Sequence, residues 1–340
     1  MIKVTALTAN RDDPASRFRI RQFIGPLAQF GIDVREHYLP LTRYRRQPLA
    51  SLALLLRLPG VVASRSTDIT WFRRELIPER STLEHLTGGF RIFDVDDAIW
   101  LLRDSGFSER IVASCDGVIA GNSWLADHYR NIGKRVWVVP SSVDTEVWRP
   151  AITRSTSPWI IGWSGTVSNL RFLQMIEEPL ARFLTQYPGA RLRVVCDRRP
   201  QLELIPSASW EFIQWSRETE VTSIQTMNVG LMPLEDSDWA RGKCAFKMLL
   251  YMACGLPVIV TPVGVNRELL EKDEIGFGAV TAGEWFEALR QLHEDQPLAV
   301  RLGEAGRRLV QAEYAVDVNV ALLAKIFKEV CGQSNNDEAR

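Results

Sequence analysis

Short strand-like runs alternate with helix-like runs along the whole chain, in two successive series. The first series opens with a strand at residues 2–9 and a helix at residues 16–30, and it closes with a strand at residues 136–140. The second series opens at residues 159–165. Repeated β-α-β order predicts parallel sheets with helices on both faces. We therefore expect an α/β fold of two Rossmann-like parallel-sheet domains that face each other across a cleft.

The chain of 340 residues exceeds one ordinary domain, so two domains are expected. The short polar stretch at residues 153–158 is typical of a linker. We predict an N-terminal acceptor-side domain over residues 1–150 and a C-terminal donor domain over residues 151–315. Residues 316–340 are expected to form a helix that packs back toward the N-terminal domain and ends in a frayed tail. Ligands of such sheets bind at the carboxyl ends of the strands, which makes the cleft the expected site.

Charge and cysteine usage exclude several classes of protein. Lys plus Arg and Asp plus Glu are both 41, and this balance argues against a nucleic-acid binder. The five cysteines are scattered without a C-x-x-C pair, so neither a disulfide framework nor a zinc site is indicated. Reduced thiols indicate a cytoplasmic protein. No apolar run reaches the roughly 18 residues of a membrane span, and the N-terminus is a strand and not a signal peptide.

The most apolar window, residues 49–63, leaves two interpretations open. It is interrupted by Arg57, Pro59 and Gly60, and a basic run at residues 43–46 precedes it. Basic residues ahead of an amphipathic segment can bind an anionic membrane surface, which would make this a peripheral, membrane-associated protein. The alternative is a core helix with a solvated basic lead-in.

Residues 242–264 read as a helix, a glycine stop, a buried strand and a turn. Gly255 suits the left-handed position just past a helix end. Lys243 and Lys247 are four residues apart, so we expect them to share one face near the helix N-terminus, together with Leu250. Two lysines at a helix start favour a phosphate or diphosphate ligand. Solvated lysines beside a core α/β unit are the alternative.

Further candidates lie in loops of the second series. Gly165 allows the backbone to approach a ligand closely, and Thr166 beside it offers a hydroxyl. Trp215 ends a strand-like segment, where it either shapes a base pocket or belongs to the core. Asn266 and Glu268 follow the turn after the buried strand, and Glu268 either accepts from a sugar hydroxyl or merely occupies the first turn of a helix.

In the first series, three carboxylates stand at a strand end, on Asp94, Asp96 and Asp97. They could bind a divalent ion, contact a sugar, or cap a loop. Arg17 and Arg21 share a face of the first helix, where an anionic acceptor could dock. Asp12 and Asp13 could instead neutralise these arginines.

Several segments together resemble the retaining GT-B glycosyltransferases of family 4. These segments are residues 16–19, 93–97, 139–150, 161–166, 229–234, 242–247 and 251–258. The resemblance implies a nucleotide-diphosphate sugar bound by the second domain and a carbohydrate or lipid-linked acceptor bound by the first. It implies no cofactor, because the nucleotide sugar is a substrate. It also implies no metal, because the helix start and the two lysines take the place of a divalent ion as the counter-charge.

The resemblance also assigns roles to individual residues. The residues with a catalytic role would be Asp96, Lys247 and Glu268. The donor would be bound by Gly165, Thr166, Trp215, Lys243, Lys247, Leu250, Asn266 and Glu268. The acceptor would be bound by Ser16, Arg17, Arg21 and Asp97.

The family often carries two glutamates where this chain has Gly242 and Leu250. The second of these glutamates usually accepts from the ribose hydroxyls, which a leucine cannot do. Two hypotheses follow from this departure. The first is an active retaining hexosyltransferase in polysaccharide or glycoconjugate synthesis. The second is a GT-B-fold binding or scaffolding subunit that has lost turnover.

Overall fold

The computed structural model describes residues 1–41, 49–102, 106–153 and 157–337. The side chains of residues 50 and 333–337 are outside this description. So are the basic run at residues 43–46, residues 154–156 of the expected linker, and the end of the expected frayed tail. The part of that tail which is described, residues 333–337, continues as helix.

The chain divides into two compact units. Unit 1 comprises Met1–Ser142, Gly242–Cys244 and Val316–Arg340, and unit 2 comprises Val143–Arg241 and Ala245–Ala315. The tripeptide Gly242–Cys244 therefore belongs with unit 1, although the residues on both sides of it belong to unit 2.

Unit 1 is built on a parallel sheet of six strands among the described residues, in the order β2-β1-β3-β4-β5-β6. Its strands are β1 (Ile2–Thr8), β2 (Ile32–Tyr38), β3 (Ile69–Arg73), β4 (Phe90–Val95), β5 (Gly117–Ala120) and β6 (Val136–Val138). The order reverses between β1 and β3, which is the point where such sheets open a crevice at their carboxyl edge.

Unit 2 holds a second parallel sheet, whose six described strands run in the order β12-β11-β10-β7-β8-β9. Its strands are β7 (Trp159–Gly165), β8 (Ala190–Cys196), β9 (Trp210–Gln214), β10 (Val229–Met232), β11 (Val258–Val260) and β12 (Gly276–Gly278). Here the order reverses between β7 and β10. The prediction of two parallel-sheet units from the alternation of strands and helices is confirmed.

Helices connect the strands. In unit 1 they are α1 (Pro14–Ser16), α2 (Gln22–Ala28), α3 (Leu49–Ser64), α4 (Phe107–Ala113), α5 (Ser123–Asn131) and α14 (Val316–Asp337). In unit 2 they are α6 (Leu170–Gln174), α7 (Glu177–Gln186), α8 (Glu220–Gln225), α9 (Asp238–Arg241), α10 (Phe246–Ala253), α11 (Val265–Lys272), α12 (Ala282–Glu294) and α13 (Gln296–Leu309). A π-helical turn, Arg17–Arg21, joins α1 to α2. Within the described residues no helix is long and apolar enough to cross a membrane.

Each unit has its own hydrophobic core. In unit 1, α14 packs on the sheet, where the Phe327 ring meets the edge of Trp71 with centroids 5.2 Å apart. In unit 2, Trp159, Trp163 and Trp285 are all buried in a single cluster. Burial of this much aromatic and aliphatic surface is the main force that stabilises each sheet against its helices.

The helix after residue 242 starts later than its sequence predicts. Ala245 adopts a left-handed conformation with φ 50°, and α10 begins at Phe246. Lys243 precedes the helix, so the expectation that Lys243 and Lys247 share one helical face is wrong. The glycine stop agrees with the structure, since Gly255 has φ 68°.

Candidate active site

At the carboxyl edge of the unit 1 sheet, the Asp94 carboxylate has a structural role. Its carboxylate accepts from Arg19 Nε at 2.9 Å and Arg19 Nη2 at 3.1 Å, and from Trp71 Nε1 at 3.3 Å. Arg19 is buried and also donates through Nη1 to the Val139 carbonyl at 2.7 Å. This bidentate ion pair ties the π-helical turn to β4 and leaves Asp94 no capacity for a ligand.

Asp96 follows β4 and is paired with the last residue of β3. Arg73 Nη2 lies 2.5 Å from Asp96 Oδ1, and the two side chains are 1% and 17% exposed. Burial works to raise the pKa of Asp96, but the charge of Arg73, followed by Arg19 and Arg74, holds that pKa below its ordinary value. Asp96 is therefore ionised, with one oxygen held by a buried guanidinium.

Asp97, the next residue, is more open. Its side chain is 30% exposed, and its nearest cations are Arg74 Nη1 and Lys243 Nζ, both 3.9 Å from a carboxylate oxygen. That distance is too long for a hydrogen bond. Burial and the neighbouring charge of Asp96 raise the pKa of Asp97. Of the three carboxylates, Asp97 is the one that a ligand hydroxyl can reach.

The tripeptide Gly242–Cys244 is fixed beside these carboxylates. Asn122 Nδ2 donates to the carbonyls of Gly242 and Lys243, each at 3.2 Å. The buried Cys244 thiol donates to the Asp96 carbonyl at 3.3 Å, and burial raises the pKa of that thiol well above its ordinary value. Cys244 is thus a packing residue, and the segment holds Lys243 next to Asp97.

The predicted acceptor residues of the first helix lie nearby in sequence but are largely engaged. Ser16 is fully buried, and its hydroxyl donates to Asp13 Oδ2 at 2.6 Å. Arg21 Nε donates to both oxygens of Glu36, at 2.7 and 2.8 Å. Glu36 is thus the partner that neutralises Arg21, so the alternative that assigned this role to Asp12 and Asp13 is wrong for Arg21. Arg17 is half-buried, and its guanidinium carbon lies 4.9 Å from the centroid of the Phe18 ring.

In unit 2, Lys247 lies at the point where the strand order reverses. It occupies the first turn of α10, and its Nζ is 4.7 Å from the centroid of the buried Trp163 ring in β7. A Cβ added at Gly165 would stand 2.5 Å from Lys247 Nζ, so only glycine admits the ammonium group here. Tyr251 Oη accepts from the Ser164 amide at 2.8 Å and ties α10 to the end of β7.

The other predicted donor residues lie around the same edge of the unit 2 sheet. Thr166 is exposed after β7, and its hydroxyl accepts from Asn169 Nδ2 at 2.9 Å. Asn266 is buried in α11 and donates to the Thr261 carbonyl at 3.1 Å, which fixes the turn before that helix. Glu268 is exposed in the first turn of α11, and the half-buried Trp215 donates to Glu220 at 3.1 Å.

Leu250 is 7% exposed. The expectation that its side chain borders the donor and not the protein interior is therefore wrong.

A cavity of about 310 Å³ opens at the carboxyl ends of β10 and β11. Its lining comes from the loops after both strands, from the junction between α6 and α7, and from α11 and α12. It includes Pro233, Glu235, Thr261, Arg267, Val280 and Trp285. The cavity and Lys247 both lie at the carboxyl edge of the unit 2 sheet, where parallel sheets bind ligands.

Sequence reasoning missed Arg73, Arg74 and Trp163. Arg73 and Arg74 stand at the end of β3, so their place at a strand end was an available signal. Trp163 lies among apolar residues of β7, so the sequence alone could not distinguish it from a core residue. Among the described residues no group of three or more His, Cys, Asp or Glu is placed to hold an ion, and metal independence stays a prediction.

The two parallel-sheet units have the fold of several solved glycosyltransferase structures. A sucrose-phosphate synthase from Thermosynechococcus elongatus is 16% identical, with a TM-score of 0.71 over 97% of this chain and 100% of that chain. HepE of Anabaena, in complex with UDP and glucose, is 13% identical, with a TM-score of 0.68 over 96% of this chain and 100% of that chain. An alpha-glucosyltransferase in complex with UDP is 12% identical, with a TM-score of 0.71 over 96% of this chain and 100% of that chain. No curated protein matches the chain.

The family match is narrower and falls on unit 2. Residues 159–295 match the family described as "Glycosyl transferases group 1". The chain therefore has the fold of these solved structures, and its residues 159–295 are similar to the group 1 glycosyl transferases. The fold expected from the sequence motifs is confirmed, and the family match supports the group 1 type for residues 159–295.

Proposed function

We propose that the protein transfers a hexose from a nucleoside-diphosphate sugar to a carbohydrate or lipid-linked acceptor, with retention of the anomeric configuration. The product would be part of a polysaccharide or glycoconjugate. The observation that carries the proposal is the position of Lys247, a half-buried cation held over Trp163 and against Gly165 at the reversal point of the unit 2 sheet.

A cation at this position suits a leaving diphosphate. When the bond between the anomeric carbon and the diphosphate oxygen breaks, negative charge grows on the diphosphate. A fixed ammonium group stabilises that charge in the transition state without having to reorganise. Glu268, exposed at the start of α11, is assigned to a hydroxyl of the donor sugar. Two of the solved structures described above, HepE and the alpha-glucosyltransferase, contain UDP, which makes a uridine diphosphate sugar the first donor to test.

For unit 1 we assign the acceptor to the edge that carries Asp96 and Asp97. Asp96, kept ionised by Arg73, would stabilise positive charge that develops on the sugar ring. Asp97 has a raised pKa and an accessible carboxylate, so it can accept a proton from an acceptor hydroxyl. This division of work between neighbouring carboxylates revises the sequence-based expectation, which gave Asp96 the catalytic role and Asp97 acceptor binding.

Calorimetric titration of the full chain with UDP, GDP and ADP tests donor binding. We expect one nucleoside diphosphate to bind, and Lys247→Ala to weaken that binding. Lys325→Ala, which changes an exposed lysine of α14, is the matched control. Incubation with the corresponding nucleotide sugars and NMR of the product then tests retention, since a product of inverted configuration would contradict it.

The family often carries a glutamate where this chain has Leu250. A binding or scaffolding subunit without turnover is therefore the alternative to the transferase. Leucine at this position cannot accept from a ribose hydroxyl, and its side chain is buried. If none of the nucleoside diphosphates binds and no nucleotide sugar is turned over, the transferase proposal fails in favour of the binding subunit.

A further inference from the structure

Three aromatic residues of unit 1, Trp100, Trp124 and His128, form a half-buried aromatic stack. The Trp100 ring lies parallel to the His128 ring, with centroids 3.7 Å apart and planes 1° apart. The centroid of the Trp124 ring is 5.4 Å from that of Trp100, and the two planes are 20° apart. Tryptophan is highly buried on average, so two neighbouring indoles with accessible surface mark a candidate binding surface.

Packing fixes the orientation of the aromatic stack. The buried Tyr129 ring meets Trp100 edge-on at 5.5 Å and His128 edge-on at 4.9 Å. Trp124 and His128 are four residues apart in α5, so they project from the same face of that helix. Rings that are already held in this way lose little further conformational entropy when a ligand binds.

The aromatic stack lies close to Asp97 along the chain. Trp100 belongs to a 3₁₀ turn, Ile99–Leu101, that follows Asp97 after one residue. The Ile99 amide donates to the Asp97 carbonyl at 2.8 Å, which fixes the start of the turn. Three residues span at most about 11 Å between Cα atoms, so an oligosaccharide held at Asp97 can reach the stack.

The start of α5 is anchored beside the same carboxylates. Asn122, which caps α5, donates through Nδ2 to the carbonyls of Gly242 and Lys243. A Cβ added at Gly242 would stand 2.7 Å from Ala98 Cβ, so this tripeptide packs directly against the loop after β4. Trp124 follows Asn122 by two residues. Both elements that carry the aromatic stack are therefore fixed to one edge of unit 1.

The chemistry of the stack favours a neutral ligand with a flat apolar face. Burial lowers the pKa of His128 against the charge of Glu109, so the imidazole is neutral at pH 7 and offers no cation to an anionic group. The rings are nearly parallel, whereas the aromatic cages that bind quaternary ammonium ions surround the cation with several ring faces. A pyranose ring presents carbon-bound hydrogens on one face, and the negative face of an aromatic ring attracts them.

We propose that Trp100 and Trp124 form a sugar-binding subsite of unit 1. This subsite stacks on the apolar face of a pyranose ring of the acceptor while a hydroxyl of the same acceptor lies at Asp97. The acceptor is then recognised through a sugar ring, whether or not that sugar is linked to a lipid. The inference rests on the proposed transferase function, since that proposal places the acceptor at Asp97.

Saturation-transfer NMR tests the subsite without requiring turnover. The full chain is mixed in turn with methyl β-D-glucopyranoside, methyl β-D-galactopyranoside, methyl α-D-mannopyranoside and choline, and the aromatic protons of the protein are irradiated. We expect transfer to the ring protons on one face of at least one glycoside. Trp124→Leu keeps an apolar side chain but removes the ring face, so it should raise the dissociation constant of that glycoside about two- to tenfold. Trp124→Phe should restore most of the binding.

The matched control is Trp137→Leu, which changes a half-buried tryptophan of β6 whose ring contacts Arg135. It should bind the glycoside like the wild type. The subsite is overturned if the wild type receives no transfer to any glycoside, if Trp124→Leu binds as the wild type does, or if choline binds in place of the glycosides.

The calorimetric titration with nucleoside diphosphates separates this inference from the transferase proposal. Nucleotide binding without glycoside binding would overturn the subsite alone. Glycoside binding that depends on Trp124, in a protein that binds no nucleoside diphosphate and turns over no nucleotide sugar, would support the subsite and remove the transferase.

Discussion

At the scale of single residues, one ion pair gives two adjacent aspartates different environments. Arg73 holds Asp96, whereas none of the described residues donates a hydrogen bond to the Asp97 carboxylate. Sequence reasoning found both residues from their place at a strand end. It could not divide their roles, because the partner that distinguishes them comes from another strand and is invisible in local spacing.

We predict different effects of Asp96→Asn and Asp97→Asn. Asp96→Asn leaves the Arg73 guanidinium buried without its counter-charge, so it should destabilise the protein by about 3–5 kcal/mol. Asp97→Asn should lower kcat with little change in melting temperature. Thermal melting and steady-state kinetics measure the two effects. A stable Asp96→Asn protein, or full activity in Asp97→Asn, would contradict this division.

The pH dependence of Asp97 supplies a second test. Because burial and Asp96 raise its pKa, Asp97 takes up a proton at a pH where an ordinary aspartate stays ionised. If the ionised form accepts the acceptor proton, kcat should fall as the pH falls through that raised pKa. We expect this acid limb above the ordinary aspartate range and absent from the residual rate of Asp97→Asn. An identical limb in the variant would assign it to another group.

Lys247 supports a prediction of its own. Its Nζ is held by Trp163 and Gly165, so Lys247→Ala should remove one preorganised cation from the diphosphate site. The expected loss in kcat is about 10²–10³-fold, with the fold intact. Lys325→Ala should retain the wild-type rate. Unchanged turnover in Lys247→Ala would remove Lys247 from the site.

At the scale of elements, α10 shows where local pattern fails. Gly255 and the strand after it were predictable from glycine chemistry and from a β-branched run. The start of the helix was not, because Ala245 adopts a left-handed φ of 50° although alanine is a strong helix former. Tertiary contacts of the preceding tripeptide outweigh propensity there, since Asn122 holds the carbonyls of Gly242 and Lys243.

The burial of Leu250 determines the outcome of Leu250→Glu. The glutamate would place a carboxylate in the interior of unit 2, with no cationic partner assigned to it among the described residues. The change should therefore lower the free energy of unfolding by several kcal/mol. Leu250→Met, which conserves volume, should cost less than about 1.5 kcal/mol. Thermal melting with and without nucleotide measures both. Tighter nucleotide binding at unchanged melting temperature would show that the glutamate reaches the ribose.

At the scale of the whole molecule, the alternation of strands and helices was sufficient to predict two parallel sheets. The strand order and register were not predicted, because alternation alone does not determine which strands become neighbours, and the two sheets order their strands differently. The assignment of Gly242–Cys244 to unit 1 was not predictable, because it depends on contacts with Asn122 and Ala98, more than a hundred positions earlier in the chain. Sequence spacing therefore placed the two lysines together, while the structure places them in different units.

Metal independence is the prediction that concerns the whole reaction. The counter-charge proposed for the leaving diphosphate is Lys247. Of the carboxylates that could have held a divalent ion, Asp94 is bound through both oxygens by Arg19, and one oxygen of Asp96 is bound by Arg73. Coordination by all three aspartates would require the Arg19–Asp94 pair to break. We therefore expect transferase activity to persist in a chelator such as EDTA, with an unchanged rate when magnesium or manganese is added. The control is a chelator-treated sample returned to buffer without it. Activity lost in the chelator and restored by either ion would show that a metal, and not Lys247 alone, balances the charge.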